Sequence, residues 1–287
     1  MVPFKPVFIF SFILLFVVQP TTSYSFVDSE EALIRGKWRA GEFVFFKFEE
    51  NVLTYENGVI VSDETYTSRF MAEIAGTRGN EGFIMLWQFR GTDASLFGDA
   101  LLDHHMYGIL ADGVVVHTDF FGGFRHISNL ESLHAQLQNA VGHLDEQNHW
   151  NKREELREYI QYYIDEPELF GDILTRDMRF LFGMHGVQLI VDEEYTYQTW
   201  QQNPWGEPME STGNLSVLDY DQSREHIHIL NKVEQNQDTD DSISLMERQR
   251  YKIDLSTGWP LEVELRDEIK SGTYQRVRTV FVTKFEY

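Results

Sequence analysis

Histidine is the first residue type to search for chemistry, because an imidazole can bind a metal or exchange a proton near neutral pH. His226 and His228 lie two residues apart in EHIHIL, a spacing that puts both rings on one face of a strand. No nearby pattern supplies a third ligand, and the chain contains no HExxH motif. Because Ile227 and Ile229 alternate with the histidines, we interpret the segment as a strand with one solvent-facing side and expect no metal there.

A second histidine pair, His104-His105, follows Asp99 and Asp103. We predict a strand over residues 100–110, and adjacent residues of a strand point to opposite faces of the sheet. Two rings that diverge in this way do not share a ligand. The sequence therefore predicts neither a metal site nor a resident cofactor.

The acidic stretch NQDTDDSISLME, residues 236–247, has some of the spacing of a calcium-binding loop. The first, third, fifth, eighth and twelfth positions of an EF-hand loop are held by Asn236, Asp238, Asp240, Ile243 and Glu247. Asp241 stands where a glycine normally permits the sharp turn, and both flanks alternate as strands instead of entering helices. We favour an acidic hairpin loop and keep weak calcium binding as the alternative.

Motifs for nucleophilic catalysis and phosphate binding do not occur: there is no G-x-S-x-G elbow, no P-loop and no G-x-G-x-x-G. Acidic residues are so numerous that no one pair stands out as general acid and base. The segment NPWG, residues 203–206, presents Trp205 either to a sugar or peptide or simply in a wide hairpin turn. We assign no catalytic residue, and a hydrolase ranks third among the functions considered.

The charge balance excludes one class of partner. The chain has 24 basic and 46 acidic residues, a formal net charge of −22. Such a field repels phosphate backbones and anionic bilayers, so we predict no nucleic-acid partner. The acidic residues are scattered along the chain, which is typical of a solvated surface.

Residues 1–25 have the order of a secretory signal peptide. Lys5 is their only charged residue, residues 7–18 are apolar with one exception, and small residues follow at Ser23 and Ser25. A helix of that apolar length rises only about 18 Å, short of the roughly 30 Å of bilayer hydrocarbon, which argues against a membrane anchor. We predict cleavage at this point and export to the periplasm or the extracellular space, as a soluble protein without a transmembrane segment.

The chain contains no cysteine, so it has no disulfide, no thiolate metal site and no cysteine nucleophile. Such a composition in a long exported chain favours a bacterial export route. We expect residues 26–287 to form a single β-rich domain with a helical insert at about 128–185. A domain of this length buries enough surface to be stabilised by its own core.

Short runs of aromatic and β-branched residues, separated by turn formers, predict antiparallel hairpins in both halves of the chain. The predicted strands lie near residues 42–50, 59–75, 83–90, 100–110, 114–120 and 124–127, and then near 187–201, 212–220, 225–234, 245–254, 260–267 and 274–286. EFVFFKFEEN, residues 42–51, can be aligned with EYTYQTWQQN, residues 194–203. The two series are either a weak internal repeat or a chance similarity of alternating strands.

Between the two series the hydrophobic period changes from two to about 3.6. Ser128 and Glu131 have the spacing of a capping box before a helix over residues 129–141. Residues 156–164 carry an apolar stripe, and Pro167 suits the first turn of a third helix. The predicted fold is therefore α+β, a large curved antiparallel sheet of two meanders and about ten strands wrapped over two or three central helices.

This order of elements resembles the half-barrel of the periplasmic lipoprotein-carrier (LolA-like) superfamily. IDLSTGWPLEVEL is similar to the D-x-x-T-G-x-P hairpin of that superfamily, with Asp254, Thr257, Gly258 and Pro260 at matching places. The chain also resembles uncharacterised secreted proteins of Bacteroidetes-type bacteria, a domain of unknown function, in which a TGWP turn lies near the C-terminus. In those proteins a G-x-F-x-x-I-x-N segment, here residues 122–129, precedes the helices. The resemblance implies a bent sheet around helices that enclose an apolar cavity.

The function favoured by these observations is binding without catalysis. We predict that the exported chain holds an apolar or amphiphilic ligand, such as a lipid or an acyl chain, between sheet and helices. The sequence does not identify the ligand-binding residues. The alternative is an interaction module for an envelope protein or polymer, which would use exposed aromatic residues such as Trp205 and Trp259.

Overall fold

The computed structural model describes residues 31–93, 100–147, 150, 153–202, 208–221, 225–235 and 243–286. The strands are β1 Glu31–Leu33, β2 Phe43–Glu56, β3 Val59–Thr77, β4 Phe83–Thr92, β5 Val114–Thr118, β6 Phe124–Ile127, β7 Gln188–Ile190, β8 Glu194–Gln202, β9 Pro208–Asp221, β10 His226–Gln235, β11 Ile243–Asp254, β12 Pro260–Ser271 and β13 Tyr274–Phe285. The helices are α1 Ala100–Asp112, α2 Leu130–Glu146, α3 Glu154–Asp165 and α4 Pro167–Phe182.

Eleven of these strands form one antiparallel sheet, in the order β6-β5-β4-β3-β2-β13-β12-β11-β10-β9-β8. The short strands β1 and β7 pair with each other in a separate two-stranded sheet. Strands β2 to β6 neighbour one another in chain order, and so do β8 to β13, so the large sheet consists of two meanders joined where β2 pairs with β13. The prediction of an α+β protein with a large antiparallel sheet of two meanders is confirmed.

Residues 100–112 form a helix, and the strand predicted over residues 100–110 is wrong. Leu102, Met106 and Ile109 are buried at intervals of four and three residues, the spacing that lines one face of a helix. Leu101 and Tyr107 are further apolar or aromatic residues outside that face, so the helical periodicity is not evident from the sequence. The described residues therefore contain four α-helices where two or three were expected.

The start of α2 lacks the capping box that Ser128 and Glu131 predicted. The Ser128 hydroxyl donates instead to the carbonyl of Val115 at 3.3 Å. The side chain of Asn129 accepts a hydrogen bond from the Val115 amide at 2.9 Å and donates one to the carbonyl of Gly113 at 3.0 Å. These side chains fasten the start of α2 to the start of β5, which positions the helix beside the sheet.

The chain divides into two compact units. The strand unit comprises residues up to Leu33, Glu49–Thr65 and Val187–Val282, and its described residues contain no helix. The helical unit comprises Ile34–Phe48, Tyr66–Gly186 and Thr283–Tyr287, and it contains all four described helices together with β4, β5 and β6.

The core of the helical unit is a series of aromatic rings. Phe70 stacks on Trp87 with ring centroids 4.8 Å apart, and Phe46 lies 6.2 Å from both Trp87 and Phe182 of α4. Phe46 and Trp87 are fully buried. Because aromatic side chains bury more apolar area than any others, these contacts fix β2, β3 and β4 against α4.

Residues 122–129 contribute a closely packed glycine to the helical unit. Gly122 has a φ of +102°, and a Cβ added there would lie 2.7 Å from the ring of Trp38 and 2.9 Å from that of His185. Only glycine fits such a conformation and such a close approach. The glycine of the G-x-F-x-x-I-x-N segment is therefore explained by the fold.

Candidate ligand-binding groove

An open groove with a volume of about 770 Å³ lies in the helical unit, between the end of β4 and the helices α1 and α2. Its size falls within the roughly 300 to 1,000 Å³ that small-molecule sites occupy in proteins. The groove has an apolar wall and a polar rim, and all three elements contribute to it.

Two stacked rings form the apolar wall. Phe89 of β4 and Tyr107 of α1 lie with centroids 4.7 Å apart and planes within 10° of parallel. Phe89 also packs edge-on against Phe70 at 5.6 Å, which connects the wall to the aromatic core. Rings held in this way are positioned before a ligand arrives, so binding does not have to order them.

A glycine keeps the groove open on its helical side. Gly108 lies in the middle of α1, and a Cβ added there would meet no atom within 4 Å. Glycine in a helix interior is less stable than alanine by about 1 kcal/mol, so Gly108 weakens α1. It leaves space beside the buried, groove-lining side chains of Ile109 and Ala140.

Arg90 and three histidines form the polar rim. The Arg90 guanidinium donates to Oε1 of Gln88 at 2.7 Å and lies 3.3 Å from the sulfur of Met71, so its stem has a defined direction.

The histidines are His104 and His105 of α1 and His143 of α2, and the rings of the first two lie 6.0 Å apart. Burial, reinforced by His104 and His143, holds the pKa of His105 below its usual value. The uncharged imidazole of His105 is therefore favoured relative to that of a free histidine.

Metal binding does not follow from this cluster. Among the residues that the structure describes, no group of three or more histidine, aspartate or glutamate side chains is placed to hold a metal ion.

Comparison with known proteins adds little to this geometry. No protein-family model and no curated protein matches the chain. Among solved structures, the chain is similar to one titled "Lipid-protein interactions in lipovitellin", with a TM-score of 0.48 and 9% sequence identity. The similarity covers 87% of this chain and 26% of that one, so the chain spans about a quarter of its length. A likeness at this level does not bear on what the groove binds.

The groove could not be anticipated while His104 and His105 were expected on a strand, because both lie on the helix α1. Adjacent residues of a helix are only about 100° apart around its axis, so both histidines can face one groove. The signal that would have found them is the spacing of Leu102, Met106 and Ile109, which buries one side of α1 and leaves the histidines on another.

The other histidine pair lies on β10 as predicted, two residues apart and partly exposed. His228 stands in register with Asp219 on one neighbouring strand and Lys252 on the other. Ile227 and Ile229 are fully buried on the opposite face. The pair therefore occupies the solvent-facing side of an amphipathic strand.

Most of the candidate calcium loop, residues 236–242, lies outside the described residues, and so does Trp205. Glu247, the proposed twelfth-position ligand, belongs to β11 and is buried. Its carboxylate accepts a hydrogen bond from the amide of Gln249.

The strand unit buries an unusual number of polar side chains on one face of β8 to β11, the buried polar face. Of ten polar or charged side chains buried among the described residues, six lie there: Thr199, Gln201, Ser211, Asn231, Glu247 and Gln249. Ser211 bonds to Gln201, and Asn231, Gln249 and Glu247 bond to one another and to two tyrosines, so most of these polar groups have partners within the protein.

Asn231 is the centre of that network. Its side chain accepts a hydrogen bond from the Tyr197 hydroxyl at 2.8 Å and donates one to Gln249 at 3.3 Å. Gln249 in turn accepts from the Tyr251 hydroxyl at 2.8 Å. The Tyr197 ring reaches Asn231 by lying over Gly213, where a Cβ would come within 2.1 Å of it. Burial raises the pKa of Tyr197 to about 12 despite its bond to Asn231.

The TGWP corner is a tight turn between β11 and β12. Asp254 accepts hydrogen bonds from the Ser256 amide at 2.8 Å and the Thr257 hydroxyl at 2.9 Å, and the Gly258 amide donates to its carbonyl. Trp259 is only 1% exposed, so it belongs to the core and is not the exposed binding residue that the alternative function would use. Gly258 precedes it with a φ of +80°, a conformation that favours glycine.

Burial argues against the alignment of residues 42–51 with residues 194–203 as an internal repeat. It matches Phe48, which is 3% exposed, with Trp200, which is 50% exposed, so it pairs opposite faces of the two strands. A slip of one residue exchanges the faces of a strand, and aromatic alternation alone does not reveal it.

Proposed function

We propose that this chain is an exported, non-enzymatic protein that binds an apolar or amphiphilic small molecule in the groove between β4, α1 and α2. The observation that carries the proposal is the stacked pair Phe89 and Tyr107, which forms an ordered aromatic wall beside open space at Gly108. A ligand's hydrocarbon part removes its surface from water by lying against this wall.

The groove also agrees with the expected position of a ligand between sheet and helices. β4 supplies one side, and α1 and α2 supply the other. The lipid or acyl-chain class, the likeness to lipoprotein carriers and to secreted Bacteroidetes-type proteins, and location in the periplasm or outside the cell are parts of the same proposal. Export is supported by the signal-peptide pattern of residues 1–25.

The alternative function is an interaction module for an envelope protein or polymer. One of the two aromatic residues expected to serve it is not exposed. Trp259 is buried in the core, and Trp205 lies outside the described residues. The groove, by contrast, combines a defined volume with an ordered wall. We therefore favour a small-molecule ligand over a macromolecular one.

The proposal is tested by titrating the protein with N-phenyl-1-naphthylamine, an uncharged probe whose fluorescence rises in apolar surroundings. Saturable binding that decanol displaces is the expected result. Native mass spectrometry of the gently purified protein provides a second test, because a bound lipid adds its own mass. A probe that neither binds nor is displaced, together with a protein free of added mass, would contradict the proposal.

The matched variants Gly108→Leu and Gly142→Leu locate the binding. Both glycines lie in helices, and a Cβ at either one meets no atom within 4 Å, but only Gly108 lines the groove. Both substitutions remove a glycine from a helix, so we expect the free energy of unfolding to stay the same or to rise by about 1 kcal/mol. Gly108→Leu should abolish probe binding and Gly142→Leu should preserve it. Equal effects of the two would place the probe elsewhere.

A further inference from the structure

We propose that the ligand of the groove is an amphiphile with an anionic head group, bound by Arg90 and the three groove histidines. This inference rests on the proposed function and adds the charge of the ligand to it. The supporting feature is the rim of the groove. Basic side chains line this rim, although the net charge of the chain is −22.

The overall charge makes the basic rim significant. A strongly acidic protein repels anions at long range, and scattered surface residues would give a groove a negative rim by default. Only 24 of the 287 residues are lysine or arginine, yet Arg90 lies at the groove together with three of the ten histidines. Only an anionic ligand gains charge–charge attraction from this placement.

Arg90 is the group that binds an anion at any physiological pH. Guanidinium is always protonated and offers several N–H donors in one plane, which matches the oxygens of a carboxylate, sulfonate or phosphate. One of its nitrogens is anchored by Gln88. Arg90 and Phe89 both line the groove, so a ligand bound there has a basic group and an aromatic wall within the same site.

The histidines add charge only when protonated. The charged and titratable groups at the groove are Arg90 from β4, His104, His105, Tyr107 and Asp112 from α1, and His143 from α2. Two further acids lie close by: Glu146, whose carboxylate is 3.7 Å from His143, and Asp103, which is buried on α1. Protonation of any of these histidines adds a positive charge, so acidification makes the groove more positive.

The pH dependence has a definite sign. His105 holds its proton less tightly than a free histidine, so it becomes charged only below its usual range. An anion bound beside it favours the protonated ring, and by linkage protonation favours the anion. Affinity for an anionic amphiphile should therefore rise as the pH falls from about 7.5 to about 5.

Three probes with the same decyl chain separate head-group charge from hydrophobicity: decanesulfonate, decanol and decyltrimethylammonium. Each is titrated calorimetrically or by displacement of N-phenyl-1-naphthylamine. Sulfonate stays ionised throughout this pH range, so any change in its affinity comes from the protein. We expect it to bind about tenfold more tightly than decanol near neutral pH, and to gain about fivefold more at the lower pH. Decanol should change less than twofold, and the ammonium should bind most weakly.

The variant Arg90→Met keeps a long apolar stem and removes the charge. Its control is Arg125→Met, which makes the same change in net charge at an exposed position of β6 that does not line the groove. Arg90→Met should lower sulfonate affinity about tenfold and leave decanol affinity unchanged, because only the head group contacts the guanidinium. Arg125→Met should alter neither.

The results separate this inference from the proposed function. If decanol and decanesulfonate bind equally well, or if the two arginine variants behave alike, the anionic head group is wrong and the groove remains a binding site. If none of the three probes binds, the proposed function fails and this inference fails with it. A sulfonate preference that depends on Arg90 and increases with acidity supports both.

Discussion

The two units bury different kinds of side chain. In the helical unit the interior is aromatic, with Phe70 stacked on Trp87 and Phe46 beside it. In the strand unit, the buried polar face of β8 to β11 holds Asn231 and Gln249 in a hydrogen-bonded network. Both units have apolar cores, but the helical unit centres its core on packed rings, whereas the strand unit adds a network of matched donors and acceptors.

This difference indicates which polar groups are accessible to a ligand. A buried polar group needs a hydrogen-bond partner, and Asn231, Gln249 and Glu247 of the polar face bond to one another, so these side chains are engaged within the protein. The groove has the opposite arrangement, because its aromatic wall ends at a rim where Arg90 and His104 are exposed. Polar groups at the edge of an ordered apolar wall indicate a site more strongly than buried polar groups do.

The largest expected effect comes from breaking the aromatic interior. Trp87→Ala removes a fully buried ring that contacts Phe46, Phe48 and Phe70 and should cost about 3 to 5 kcal/mol of unfolding free energy. Trp200→Ala makes the same chemical change at a half-exposed position and should cost less than about 1 kcal/mol. Urea unfolding of both variants gives the comparison, and equal losses would contradict a core centred on Trp87.

An intermediate effect is expected from the polar face. Asn231→Leu removes the acceptor of the Tyr197 hydroxyl and a donor to the side-chain carbonyl of Gln249. We expect the free energy of unfolding to fall by about 1 to 3 kcal/mol.

A double-variant cycle shows whether these groups act as one network. The double variant of Asn231→Leu with Gln249→Leu should cost less than the two single losses added together, because both remove the same hydrogen bond. Strictly additive losses would mean that Asn231 and Gln249 act independently.

The smallest effect concerns the turn before Trp259. Burial alone would raise the pKa of Asp254, but hydrogen bonds from Ser256 and Thr257 hold it below its usual value. A depressed carboxyl pKa stabilises the fold above the unfolded-state pKa of about 3.9, and this stability is lost as the pH falls through the folded-state value.

Asp254→Ala should therefore cost about 1 kcal/mol near neutral pH and progressively less in acid. Thermal unfolding followed as a function of pH provides the measurement. Asp219→Ala, at an exposed position of β9, is the control that should show no such trend. A loss for Asp254→Ala that does not change with pH would show that the carboxylate's charge is irrelevant to the turn.

The sheet could be predicted from sequence because its strands alternate and its turns carry glycine and asparagine. The last three predicted strands overlap β11, β12 and β13, and the turn at Asp254 to Pro260 lies where the motif placed it. The helix α1 could not be recognised in the same way, since Leu101 and Tyr107 lie outside its buried face and obscure the helical spacing of Leu102 and Met106.

The groove depends on contacts that sequence does not encode locally. Phe89 and Tyr107 are eighteen positions apart and stack only because α1 folds back on β4. His143 joins them from α2, more than thirty positions further along the chain. Neither the pairing of the rings nor the convergence of the histidines has a motif, so both required the tertiary structure.

Photolabelling with a fatty acid that carries a diazirine in its chain tests the central claim most directly. After irradiation and proteolysis, peptide mapping identifies the residues that contact the bound chain. The account predicts labels on Phe89 to Gly91 and on His104 to Asp112, and their loss in Gly108→Leu. Labels confined to other strands, or labelling that Gly108→Leu leaves intact, would contradict it.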